Sequence, residues 1–410
     1  MAYGHDSDAT DAGSFGGGGR HSASRSATNL EDVFDDPAHG EIGRDRLGVH
    51  FAWEGVLLLG TLALGYLLYA NHRDAVSGGS LKALLVFGSL LGVLALAASM
   101  TLRAGVVNLA IGPVFIASGL YYADKGAGGF FDTAVWPLML ALAVGVGIAV
   151  LVVGFHVPSW AGSLVGALVA IAWIENKYAS PIAVAGGFDP TKQAYYLIGG
   201  FVLVSVVGGL LGLIKPVRRG VGRFRPVADP AARRGGLAAA VAALTLVVST
   251  AFAALAGILY AGYLGFDDRQ LAPGSGLEWT ALAIGAAMVG GVSAFGRRGG
   301  VFGTILATFV IALLITYSRL EGWGIALTVL GAGAVAVGLI ITRLVETFGR
   351  PLSLEDGPDD WSDVGIASPS SWSTSSTTAA DTWSGLSAQP TSPATTTTSQ
   401  WGVESTDRWR

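Results

Sequence analysis

The sequence contains no cysteine and little charge: none of its 410 residues can form a disulfide or a thiolate metal site, and only 13% are Asp, Glu, Lys or Arg. An ordinary soluble domain carries about a quarter charged residues, whereas 51% of this chain is hydrophobic. Other signatures are missing as well. No lysine follows a glycine, which removes the GxxxxGK[ST] loop that holds nucleotide phosphates. The six histidines form no HExxH or comparable metal spacing, and no GxSxG nucleophile elbow occurs. We expect no cofactor, no metal, no enzymatic chemistry and no nucleic-acid partner. The first apolar run begins near Phe51, too far along the chain for a cleavable signal sequence.

What is present is a series of long apolar blocks with the polar residues pushed to the two ends. Residues 1–50, with GSFGGGGRHSASRS, and 350–410, with TSPATTTTSQ, lack apolar periodicity and are expected as disordered tails. Between them, 51–349 reads as an all-α, polytopic transmembrane bundle. About ten spans are expected, near 54–70, 82–100, 104–123, 135–154, 160–178, 195–214, 237–263, 279–295, 300–318 and 323–343. Gly112 and Pro113 mark the third as a candidate for broken backbone, and Glu175 with Asn176 marks the fifth. The small residues Gly88/Gly92, Gly162/Gly166 and Gly208/Gly209/Gly212 sit at spacings that let helices approach closely in lipid.

The net charge of −4 hides an uneven distribution. With both termini cytoplasmic, the inner loops and flanks hold fourteen cations: Arg44, Arg46, Arg103, Lys215, Arg218, Arg219, Arg223, Arg225, Arg233, Arg234, Arg297, Arg298, Arg343 and Arg350. The outer side holds seven, Arg73, Lys82, Lys125, Lys177, Lys192, Arg269 and Arg319. This excess follows the positive-inside rule and places the chain in the plasma membrane in that orientation. His156, in FHVPSW, reads as a residue at a helix end. Carboxylates within the spans are scarce, which argues against ion coupling. By itself GGVSAFGRRGGVFGT, Gly290 to Thr304, looks like a phosphate loop, but its flanks are membrane spans. Gly290, Gly291, Gly296, Gly299 and Gly300 then serve a tight cytoplasmic turn, Gly303 serves close packing of the next helix, and Arg297 and Arg298 anchor the turn at the inner surface.

Four stretches taken together resemble a known family. RAGVVNLAIG, Arg103 to Gly112, is similar to the RAGVVNxGxEG segment of nucleoside and simple-sugar importer permeases. DPAARRGGL, Asp229 to Leu237, resembles NPEAARxxGI. STAFAALAGILYAGYLG, Ser249 to Gly265, resembles LSGxLAGLAGxL, and GGVSAFGRRGGVFGT resembles GGTSxxGGxGxxxGT. They occur in family order between about Arg103 and Arg343, and the chain is identified on them as a member of the branched-chain amino acid, ribose and nucleoside permeases of ATP-binding cassette importers.

The resemblance implies a subunit that transports without hydrolysing ATP. Cytoplasmic ATPase subunits, an extracytoplasmic solute-binding protein and a second permease subunit, identical or related, would be its partners within the lipid bilayer. Asp229, Ala231, Ala232, Arg233 and Gly236 would form the coupling segment that enters a cleft on the ATPase; Pro230 stands where the family has a glutamate. Asn108 and Gly112 would lie near the translocation path, with Ala110 in place of the usual glycine or serine. The cargo implied is a simple sugar or nucleoside, with a branched-chain amino acid as the other option. Two other classes frame the test: an ion-coupled secondary transporter, and a membrane scaffold that recruits partners through its tails.

Overall fold

The computed structural model describes residues 47–185, 187–213, 236–266, 269–294 and 302–348. Among the described residues ten α-helices follow the expected spans in order: α1 Leu47–Asn71, α2 Gly78–Arg103, α3 Ile111–Lys125, α4 Phe130–Ala149, α5 Ser159–Lys177, α6 Ala194–Leu213, α7 Gly236–Phe266, α8 Leu277–Val289, α9 Gly303–Leu320 and α10 Leu327–Phe348. Two short strands, β1 Ile182–Ala183 and β2 Gln270–Leu271, pair antiparallel. The expected tails lie outside the described residues except for Leu47–His50, which open α1.

Seven of the ten are long and apolar enough to cross a bilayer alone, by length and composition. The exceptions explain themselves. α5 ends in the polar Glu175, Asn176 and Lys177. α3 has 15 residues and α8 has 13, lengths of about 22 and 20 Å against a hydrocarbon core of about 30 Å. The third span, expected to be helical from residue 104, is instead non-helical through 104–110 and becomes helical only at Ile111. The cause is a glycine stop after α2. Gly105 has φ of 66°, its N–H donates to Leu102 O at 2.9 Å, and the Val106 N–H donates to Thr101 O at 2.9 Å. That is a Schellman cap, for which glycine at the left-handed position is the ordinary solution.

α7 runs through the middle of the packing, against α2, α3 and α4, while α8 packs on α10 and α9 on α1. The contacts are close because they are built from small residues. A methyl group at Gly257 of α7 would meet the Phe115 carbonyl oxygen of α3, and one at Gly285 of α8 would meet Ala334 of α10. Gly92 lies under the Phe201 ring of α6, and Gly166 lies against Ile148 of α4. Gly208, by contrast, faces open space.

The outside of the bundle is apolar. Leu59, Leu62 and Tyr66 of α1, Leu203 of α6 and Ile340 of α10 are each at least 60% exposed. Exposed Trp136, Trp160, Tyr195, Tyr196 and Trp323 stand at or near helix ends. A continuous apolar exterior with aromatics near its edges is a lipid-facing surface.

Candidate functional site

The non-helical stretch between α2 and α3 carries the first of the four motifs. In the low dielectric of a bundle, each of its free backbone groups costs energy unless a partner is supplied. Two helices and the stretch's own Asn108 supply them. Ser163 Oγ of α5 donates to Val107 O at 3.1 Å, and Thr280 Oγ1 of α8 donates to Leu109 O at 3.1 Å. The Gly112 N–H donates to the same Thr280 oxygen at 2.9 Å. Asn108, fully buried, accepts from the Ala110 N–H at 2.9 Å and donates through Nδ2 to Ser249 Oγ of α7 at 2.8 Å.

Asn108 thus fastens the break to α7, and its amide is engaged by protein on both sides. Gly112 is required for contact: a methyl group there would meet the carbonyl oxygen of Gly276 and lie 2.6 Å from Thr280 Oγ1. The starts of α3 and α8 therefore meet inside the bundle, each helix completing only part of a crossing. Interrupted helices that meet in this way, with irregular backbone satisfied by neighbours, are a recurring construction of transporters.

The second meeting point joins α8 to α9, where the fourth motif lies. α8 ends in the same manner as α2: Gly291 has φ of 81°, its N–H donates to Met288 O at 2.8 Å, and the Val292 N–H donates to Ala287 O at 3.1 Å. Gly290 and Gly303 touch backbone to backbone, so a methyl group on Gly303 would meet the Gly290 carbonyl oxygen. Gly296, Arg297, Arg298, Gly299 and Gly300 lie outside the described residues.

Sequence reasoning missed what holds this junction. Trp53 and Glu54, adjacent on α1, reach its two ends. The Trp53 indole N–H donates to Val289 O at 2.7 Å, at the end of α8. Glu54 Oε1 accepts from the backbone N–H groups of Phe302 at 2.8 Å and Gly303 at 3.0 Å, at the start of α9. Glu54 is buried and supplies a carboxylate to the positive end of a helix, where anions are stabilised. Arg103, of the first motif, stands in the last turn of α2. The available signal was a lone glutamate at the head of an apolar run, WEGVLLLG, a placement that is rarely idle in a membrane.

Of the expected coupling residues, Asp229, Ala231, Ala232 and Arg233 lie outside the described residues. Gly236 opens α7 and is exposed, with nothing within 4 Å of where a side chain would begin. On the opposite side, the turn after α1 is joined to the turn after α9. His72 Nε2 and Glu321 Oε1 are 3.0 Å apart, and Asn71 Nδ2 donates to the Tyr317 hydroxyl at 2.8 Å. Hydrogen bonding to the Glu321 carboxyl, from His72 first and then from Tyr317, holds it below its usual pKa.

Interrupted helices meeting in an apolar bundle define a polytopic helical membrane protein. Comparison with known proteins carries this to a more particular class. The chain is 26% identical over 309 residues to the autoinducer 2 import system permease protein LsrC of Yersinia enterocolitica, covering 70% of this chain and 81% of that protein. It is 27% identical over 299 residues to the protein of the same name from Enterobacter sp. (strain 638), covering 69% and 84%. To that of Klebsiella pneumoniae it is 31% identical over 218 residues, covering 49% and 60%. No family model and no solved structure matches the chain. The resemblance seen in the four motifs therefore extends over most of the sequence, and the chain is homologous to permeases of ATP-binding cassette importers of the simple-sugar type.

Proposed function

We propose that the chain is the membrane permease subunit of an ATP-binding cassette importer and moves a small polar solute of simple-sugar type across the plasma membrane. The observation that carries this reading is the similarity to import-system permeases over most of the chain. Autoinducer 2 is the cargo named for those relatives; a cargo of the same sugar-like class is assigned to this chain.

On this reading ATP is hydrolysed on two cytoplasmic ATPase subunits, a solute-binding protein delivers cargo from outside, and a second permease subunit completes the path. Both termini are cytoplasmic. Asp229 to Gly236 is the segment that docks on the ATPase. α7 begins at Gly236, at the end of that segment, and runs 31 residues, about 46 Å. It packs on α2, α3 and α4 and holds Asn108 through Ser249. A push on its inner end is thus delivered to the α2–α3 break, and from there through Thr280 to α8. Access alternates when these interrupted helices shift against one another.

The test is uptake by reconstituted complexes. Uptake abolished by a catalytically dead ATPase and indifferent to ion-gradient collapse supports the reading. Uptake that survives the dead ATPase and follows an ion gradient makes the chain a secondary transporter. Arg233→Glu should impair both ATPase association and uptake, and no change in either would remove the coupling role. Orientation is open to direct test, since a cysteine-free chain allows single-site labelling: Asp74→Cys should react with an impermeant thiol reagent from outside and Gly236→Cys only after permeabilisation.

A further inference from the structure

α8 takes part in both junctions: its start meets α3 where Gly276 touches Gly112, and its end meets α9 where Gly290 touches Gly303. Along the length between, it is seated closely on α10. A methyl group at Gly331 of α10 would lie 2.9 Å from the Glu278 carbonyl oxygen, near the start of α8, and one at Gly338 would lie 2.7 Å from Met288 Cβ, near its end. Gly285 stands against Ala334 between them. Helices packed this closely along a full face have no room to tilt apart, so α8 and α10 move as one body.

The inner end of that body is held differently. Gly290 and Gly303 touch through backbone atoms, so no side chains interlock across the contact and one helix end is free to turn on the other. Leu57, Val289, Ala307, Ile341 and Val345 form a small buried cluster there, separate from the main core. Position is set by directional bonds from a single neighbour. The Trp53 indole N–H donates to Val289 O at the end of α8, and Glu54 Oε1 accepts from Phe302 and Gly303 at the start of α9. α1, which carries both residues, is mostly exposed along its length and is tied to α9 again at its outer end, where Asn71 donates to the Tyr317 hydroxyl. α1 and α9 thus make a frame fastened at both ends, and α8 ends on it.

A body that is rigid along its length, met by a moving neighbour at one end and held by a few directional contacts at the other, turns about the held end. Element ends held by few residues are where such motions are absorbed. We propose that Trp53 and Glu54 form the inner pivot of the transport step, on which α8 and α10 turn together when α3 shifts at Gly112. Both are positioning residues: Trp53 fixes the end of α8, and Glu54 keeps the start of α9 in place beneath it. The proposal rests on the permease reading and its orientation, and adds the point about which the interrupted helices move. Loosening the pivot leaves the ATPase contact intact, while displacement delivered at Gly276 is lost as slip at Gly290.

The experiment uses the full-length chain assembled with its ATPase in nanodiscs, and needs no cargo. Spin labels go on Leu203→Cys of α6 and Ala332→Cys of α10, both exposed sites in a chain without cysteine. On addition of a non-hydrolysable ATP analogue the distance between them should shift by about 2 Å or more. Trp53→Phe keeps the ring and removes one N–H; it should bind the ATPase as the wild type does and lose most of the shift. Glu54→Gln should reduce the shift in the same direction. Leu68→Ala cuts a fully buried side chain in the outer half of α1; it should lower the unfolding temperature and leave the shift unchanged. A wild-type complex with no shift overturns the proposal, as does a full shift in Trp53→Phe. An equal loss in Leu68→Ala also overturns it, because the effect would then follow stability and not the pivot. A chain that associates with no ATPase removes the permease reading itself, whereas one that associates and fails these tests removes the pivot alone.

Discussion

Removing the carboxylate of Glu54 is the sharpest perturbation the fold offers. Its Oε1 accepts from two backbone N–H groups, Phe302 at 2.8 Å and Gly303 at 3.0 Å. Without it, the first turn of α9 has two inward N–H groups with no acceptor, at about 1–3 kcal/mol each. The interaction of the charge with the helix end adds about 0.3–1 kcal/mol. Glu54→Leu should therefore destabilise the bundle by about 2–7 kcal/mol. Glu54→Gln keeps an acceptor oxygen and loses only the charge, so it should cost about 1–2 kcal/mol. The assay is reversible unfolding of the full-length chain in mixed micelles by SDS titration, with amide exchange of Phe302 to Thr304 followed alongside. Protection at these residues should fall first in Glu54→Leu. A Leu variant within about 0.5 kcal/mol of wild type, or a Gln variant as damaging as Leu, would refute the capping role.

Three further outcomes are expected. Gly112→Ala places a methyl group against Gly276 and Thr280, and overpacking of this kind costs about 1–3 kcal/mol; thermal unfolding of the purified chain reads it, and a neutral result would mean that the starts of α3 and α8 do not touch. Asn108→Ala and Ser249→Ala should be coupled by about 0.6–1.7 kcal/mol, the range found for hydrogen bonds between membrane helices, in a double-mutant cycle on unfolding; additivity within error would exclude the 2.8 Å bond. The His72–Glu321 contact should be pH-dependent in one direction. The Glu321 carboxyl pKa lies below its usual 4.5, so the tether is intact above that value and is lost as the pH falls through the lower one. Spin labels at Asp74→Cys and Ile325→Cys should hold a narrow distance distribution just above 4.5 and broaden well below it; a distribution unchanged on acidification would contradict the assignment.

The helical class, the order of ten helices and the apolar exterior were legible in the sequence because all three depend on local composition. An apolar run of about 20 residues with few charges has few alternatives to a helix in lipid. The family resemblance was legible for a related reason, since RAGVVNLAIG and GGVSAFGRRGGVFGT are contiguous segments. Even the glycine stops at Gly105 and Gly291 were visible as residues, although the exact place where α3 begins was not.

What only the tertiary structure decided is which groups meet across the chain. The sequence placed Asn108 and Gly112 near a path; the fold turns Asn108 toward Ser249 and Gly112 against Gly276, in contacts that hold the interrupted helices together. Glu54 and Gly303 lie 249 positions apart, and no periodicity of either segment reveals that one caps the other. A cavity walled by Val114, Gly147 and Trp173 likewise exists only where α3, α4 and α5 stand together. Helix formation in a membrane is satisfied within each segment, so sequence alone determines it. Close packing and the filling of stray hydrogen bonds are satisfied between segments, and those belong to the assembled bundle.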